Sequence, residues 1–101
     1  MRPIHLCRLD KTRPALVLTR AGVREDRRWI TVAPITSTMR GLLTEVPLGT
    51  RNGIDHDCVA ACDLITTVPG DALGRLIGYL LPEQEPALAE AISLAFDLET
   101  G

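Results

Sequence analysis

With 101 residues, 46% of them hydrophobic, and 11 Lys and Arg against 13 Asp and Glu for a formal net charge of -2, the chain can build one small core, and residues 1–101 read as a single domain. The first ten residues hold no apolar stretch long enough for a signal peptide, and no window approaches eighteen uninterrupted apolar residues, so a membrane span is excluded and a cytoplasmic location is expected. Three cysteines, Cys7, Cys58 and Cys62, fit reduced thiols in that compartment better than a disulfide framework.

In chain order, Ile4–Leu9 alternates loosely and Ala15–Thr19 is a continuous apolar run. The short polar turn Asp10, Lys11 and Thr12 between them predicts a hairpin. A charged loop with Arg24, Arg27 and Arg28 leads to Trp29–Ile35, a β-branched run that reads as a buried strand. Leu43–Leu48 is the next strand, with Pro47 at an edge or an end. After the turn pair Asn52-Gly53, Cys58–Val68 reads as one strand with alternating faces. Gly70–Gly74 is a short turn or helical hook, and Arg75–Leu81 is a last strand in which Gly78 marks a bulge. From Pro82 the period changes. Leu88, Ile92, Ala95 and Phe96 recur at helical spacing, and Glu83, Glu85 and Pro86 occupy early turns, where a helix N-terminus accepts them. Several short strands and one terminal helix predict a mainly β fold, a small barrel-like sheet packed by that helix. At this size a homodimer would add stability.

The net charge hides a split. Residues 1–40 carry nine basic side chains against three acidic ones, and the rest carry two Arg against ten carboxylates, roughly +6 and -8. Either the first half forms a basic, substrate-facing surface or folding interleaves the charges. Arg13 opens the apolar run RPALVL, and Thr36, Ser37 and Thr38 directly follow the strand Val32–Ile35. A guanidinium and three hydroxyls at strand ends suit a phosphate whose charge grows during reaction. Lys11 and Arg40 flank the two segments as phosphate contacts. The competing reading of Arg13 is a surface ion pair with Asp10.

Taken in order, RPALVL, VAPITST, the TEVPL strand, DHDCVAACDLITTV, LGRLIGYL and the C-terminal helix resemble the MazF/PemK family of toxin endoribonucleases, over nearly the whole chain. The RGLLTEVP stretch makes the chain most similar to short actinobacterial MazF toxins. The resemblance implies an SH3-like small barrel, of the superfamily that also holds the CcdB gyrase poison. It implies the toxin component of a type II toxin-antitoxin system, cleaving single-stranded RNA at a short sequence without metal or cofactor and leaving 2′,3′-cyclic phosphate and 5′-hydroxyl ends. Matched by motif, the catalytic arginine falls on Arg13 and the catalytic threonine on Thr36, with Lys11, Ser37, Thr38 and Arg40 binding RNA. A homodimer with an RNA groove across it, and a cognate MazE-like antitoxin laid into that groove, would follow. One departure stands out: the family usually has a longer, Gly-containing loop before the arginine, whereas only Lys11 and Thr12 separate Asp10 from Arg13 here. The alternatives are a CcdB-like poison that binds DNA gyrase, disfavoured by a C-terminus without Trp, and a non-cleaving RNA-binding barrel.

Metal-free RNA cleavage must deprotonate the 2′-hydroxyl, stabilise the phosphorane and protonate the 5′-oxygen. Arg13 suits the second task, because its charge is permanent and its fork matches two phosphate oxygens. It is no base near neutrality. Candidate bases are His5, Asp10, Glu45 and His56. A zinc reading of His56, Cys58 and Cys62 fails if the segment is extended, since the two cysteines then lie roughly 13 Å apart. Trp29 and Phe96 are expected in the core, which leaves no aromatic platform for bases.

Overall fold

A computed structural model describes residues 1–20 and 28–98; Arg24 and Arg27 of the basic loop lie outside the described residues. The hairpin forms as the turn chemistry dictates. Strand β1 (Pro3–Arg8) pairs antiparallel with β2 (Thr12–Val17), from Arg8↔Thr12 to Ile4↔Leu16. Strand β3 (Trp29–Thr36) continues the sheet beside β2, and β4 (Glu45–Leu48), β5 (Cys58–Ala61), β6 (Thr66–Pro69) and β7 (Leu73–Tyr79) complete it. All the pairings are antiparallel. The strand order is β4-β5-β3-β2-β1-β7, with β6 also on β3, so the expected small barrel is a sheet whose path does not close.

The run Cys58–Val68, expected as one strand, is two. Strand β5 faces the end of β3 (Ile35↔Ala60, Thr36↔Val59), and β6 faces its beginning (Val32↔Thr66 to Trp29↔Pro69). Between these ladders β3 uses two residues, Ala33 and Pro34, where the facing chain has five, Ala61 to Ile65. The surplus leaves the ladder as a 3-10 turn at Cys62–Leu64. Pro34 is the local cause, because it has no N–H to give to a strand on that edge.

Side-chain alternation sends neighbouring residues to opposite sides of β2 and β3 and makes two cores. Leu16, Ala33 and Ile35 join Ile4, Val46 and Leu80 in the larger one, where the helix α1 (Glu85–Ala95) inserts Leu88 and Ala91. Burying Leu88 there contributes about 2 kcal/mol. Ala15, Val17, Ile30 and Val32 join Cys7 and Val68 in the smaller one. All three thiols are buried and free of disulfides. Burial raises each pKa, that of Cys62 to about 11, so none presents a thiolate near neutral pH.

Two aromatic residues depart from the expectation. Trp29 is 57% exposed, because Ile30 and Val32 take the core side of β3 and the first residue of the strand falls on the other. Phe96 is 55% exposed, because α1 ends at Ala95 and the chain leaves helical geometry, with Asp97 at φ 53°. The bulge expected at Gly78 is present, since β1 pairs Ile4↔Gly78 and then His5↔Leu76. Any side chain at Gly78 would meet the Asn52 carbonyl oxygen, 1.8 Å from an ideal Cβ. Asn52 itself is buried, its amide donating to the Tyr79 carbonyl and to Gln84 Oε1, which ties the β4–β5 connection to the start of the helix.

Candidate functional site

The missing ladder positions opposite Pro34 open a groove on the sheet, and its walls come from both ends of the notch. Arg13 is the second residue of β2, opposite Cys7, and reaches back to the hairpin turn, where its Nη2 donates to Asp10 Oδ2 at 3.0 Å. The side chain is only 23% exposed, and its Nε is buried with no hydrogen-bond partner among the described residues. The ion pair with Asp10 and a place in the groove are therefore both real features of Arg13. Thr36 ends β3 and accepts the Thr38 N–H on its Oγ1 at 3.1 Å, so the chain turns there and carries Thr38 toward the groove. That bond uses the oxygen as acceptor and leaves the hydroxyl hydrogen for another partner.

The segment after Thr36 has no regular structure up to Leu42, and Glu45 organises it. The Glu45 carboxylate accepts the N–H of Arg40 at 3.1 Å and that of Leu42 at 3.2 Å, which closes residues 40–45 into a loop folded over its first strand residue. The 3-10 turn closes the far side: Cys62 N–H donates to the Thr44 carbonyl at 3.0 Å, and Thr44 Oγ1 donates to Asp63 Oδ2 at 2.5 Å. These bonds order a loop that carries a cation to the groove. Arg40 makes no ion pair among the described residues.

The groove consists of two hollows. The first, about 240 Å³, has Arg13, Pro34, Thr36, Thr38 and Arg40 on its walls, facing Thr44, Asp63 and Leu64. The second, about 450 Å³, continues past Arg13, Pro34 and Leu64 toward Arg8, Asp10 and Thr66. Three guanidiniums thus follow one another along the trough; that of Arg8 also pairs with Asp71 at 3.9 Å, and Arg2 pairs with Glu85, so charges of the two halves interleave.

Of the residues singled out in the sequence, the fold brings Arg13, Thr36, Thr38 and Arg40 together in the first hollow. Lys11 and Ser37 are exposed and line neither hollow. Among the candidate bases, His5 turns its Nδ1 to the Gly74 carbonyl at 2.9 Å, on the β7 side. His56 pairs with Asp55 at 2.6 Å in the β4–β5 connection, and its hydrogen bond and charge lower the Asp55 pKa. Glu45 is occupied by backbone N–H groups, whereas Asp10 lines the second hollow with one oxygen on Arg13. Sequence reading missed Thr44, in the turn before β4, and Asp63, Leu64 and Thr66, which reach the groove only because the strand breaks; Pro34 in mid-strand was the available signal for those three. Among the described residues no group of three or more His, Cys, Asp or Glu is placed to hold a metal ion, and no helix is long and apolar enough to cross a membrane.

Comparison with known proteins identifies the family and the fold. The family described as PemK-like, MazF-like toxin of type II toxin-antitoxin system matches residues 5–96. The chain belongs to the PemK/MazF toxin family. It is 59% identical over 99 residues to a Mycobacterium tuberculosis protein named endoribonuclease MazF3, covering 98% of this chain and 96% of that one. The solved structure of M. tuberculosis toxin MazF-mt6 superimposes with a TM-score of 0.96 at 57% identity, over 98% of this chain and all of the other (100%). A mycobacterial endoribonuclease solved in complex with its cognate antitoxin shares the fold, with a TM-score of 0.86 at 22% identity, covering 98% and 95% of the two chains. Within the PemK/MazF fold, then, the notch opposite Pro34 is what assembles the groove in this chain.

Proposed function

We propose that this PemK/MazF toxin is an endoribonuclease that cuts single-stranded RNA at a short sequence without a metal ion, leaving 2′,3′-cyclic phosphate and 5′-hydroxyl ends, with Arg13 and Thr36 at the reacting phosphate. The observation that carries the reading is the buried, unpartnered Nε of Arg13 in the groove wall it shares with Thr36. A buried donor without a partner is costly, and an anion brought into the groove supplies the acceptor. The names of the relatives, endoribonuclease and toxin, support the same substrate class.

In the proposed reaction the 2′-oxygen forms a bond to the adjacent phosphorus as the bond from phosphorus to the 5′-oxygen breaks. Arg13 holds the non-bridging oxygens as their charge grows, and the Thr36 hydroxyl donates to the same group. Asp10 is the candidate base that lines the groove; one oxygen steadies Arg13, and the other takes the 2′-hydroxyl proton. Water in the open groove returns a proton to the departing 5′-oxygen. Thr38 and Arg40 hold the strand on the first-hollow side, and Lys11 and Ser37 act at its margins. A cognate MazE-like antitoxin, a homodimer spanning the RNA groove and action in the cytoplasm complete the proposal; the family description as one half of a toxin-antitoxin system supports the first.

The test is cleavage of a long mixed-sequence RNA in EDTA by the wild type and Arg13→Ala, with fragment ends mapped. Cuts at one short sequence, ending in cyclic phosphate and absent from the variant, support the reading. An intact RNA after incubation with folded wild type removes it.

A further inference from the structure

The two hollows share Arg13, Pro34 and Leu64, so they are one trough with a waist. Ala61 and Asp63 wall the first hollow, and Thr66 and Val68 wall the second; Leu64 stands where the chain passes between them. It is the last residue of the 3-10 turn and is 59% exposed, so a core role does not account for it. Among the described residues no aromatic side chain lines either hollow. A base entering the trough therefore meets aliphatic surface, chiefly Leu64 and the Pro34 ring. The cations are distributed along the length: Arg40 in the first hollow, Arg13 at the waist, Arg8 in the second.

We infer that the second hollow is a binding subsite for the nucleotide adjoining the scissile phosphate on single-stranded RNA, with Arg8 on the neighbouring phosphate and Leu64 standing between two splayed bases as a specificity-determining wall. The inference deepens the ribonuclease reading and rests on it. Successive phosphates of an extended strand need successive cations, and the trough offers them in series. Unstacked bases recover apolar contact from a side chain that separates them, and hydroxyls then read their edges. The edges met differ between the hollows, the Thr44–Asp63 pair in the first and Thr66 in the second, so each selects bases by its own hydrogen bonds.

The experiment compares wild type, Leu64→Ala, Leu64→Met, Arg8→Ala and Arg75→Ala on RNAs with randomised positions around the cut, over a range of salt, with thermal unfolding to check folding. Leu64→Ala is expected to keep cyclic-phosphate ends while base discrimination beside the cut falls roughly tenfold. Leu64→Met, which keeps the apolar length, retains the preference. Arg8→Ala lowers the magnitude of the log–log salt slope of binding by about 0.7 and leaves the chosen sequence unchanged. Arg75→Ala, on β7 and outside both hollows, leaves that slope unchanged. Unaltered discrimination in Leu64→Ala, or a normal slope in Arg8→Ala, overturns the inference while the ribonuclease reading stands. If the wild type cuts no RNA, both fall together.

Discussion

Glu45 is a positioning residue whose loss should be read in substrate binding. Its carboxylate accepts two backbone N–H groups, from Arg40 and Leu42, and nothing else holds those donors among the described residues. Bonds to a charged acceptor are worth about 1.5–3 kcal/mol each when shielded; at this exposed loop about 1 kcal/mol each is the appropriate scale, or about 2 kcal/mol in all. Removing that preference changes the ordered fraction of the loop by up to about 30-fold, and Arg40 and Thr38 ride on it. Glu45→Ala should therefore raise KM for RNA about tenfold with a smaller change in kcat. Glu45→Gln keeps an acceptor oxygen and should raise KM only about threefold. Steady-state cleavage of a short fluorogenic RNA, with circular dichroism to confirm the fold, measures both. A KM unchanged in Glu45→Ala refutes the loop argument. A kcat as low in Glu45→Gln as in Glu45→Ala would instead give the carboxylate a part in the chemistry.

Arg13→Lys keeps the charge and loses the fork, and should lower kcat roughly a hundredfold with RNA affinity largely kept, measured by single-turnover cleavage beside filter binding. Asp10→Asn still accepts a hydrogen bond from Arg13 and takes no proton; a hundredfold or greater loss of rate with unchanged binding is expected, and an equal rate would remove Asp10 as the base. Gly78→Ala forces a methyl against the Asn52 carbonyl and should cost about 3 kcal/mol or more, lowering Tm by over 10 °C in a thermal melt. Cys62 binds its proton more tightly when folded, its pKa rising from 9.0 to about 11. Its contribution is thus complete below pH about 9 and lost as pH rises through about 11, on the order of 3 kcal/mol. Urea midpoints of wild type and Cys62→Ala at pH 8 and 10.5 check this: the gap between them should shift against the wild type at the higher pH.

What the sequence disclosed and what it hid divide along one physical line. Local rules sufficed for the hairpin, for the helix after Pro82 and for the bulge at Gly78, because each depends on turn chemistry, period or a missing side chain within a few residues. That Arg13 and Thr36 come to share one hollow was legible for a similar reason: each sits at the end of an apolar run, and the ends of adjacent strands meet. The break at Cys62–Leu64 was not legible in its own segment, because alternation continues through Cys58–Val68; Pro34 hints at a gap on β3, but the count of β3 residues facing that run is what exposes the surplus. That count belongs to the pairing of distant segments, and a period cannot encode it. The consequence is functional as well as topological. The residues sequence reading overlooked, Asp63, Leu64 and Thr66, are those the break delivers to the groove, and Pro34, which prevents the ladder from continuing, forms its floor between the two hollows. The proline thus creates both the gap in the sheet and the room for a substrate. Restoring an N–H there with Pro34→Val should favour continued pairing, draw Leu64 toward the ladder and narrow the waist. Reduced RNA binding with the fold intact would follow, and binding equal to wild type would separate the proline from the site.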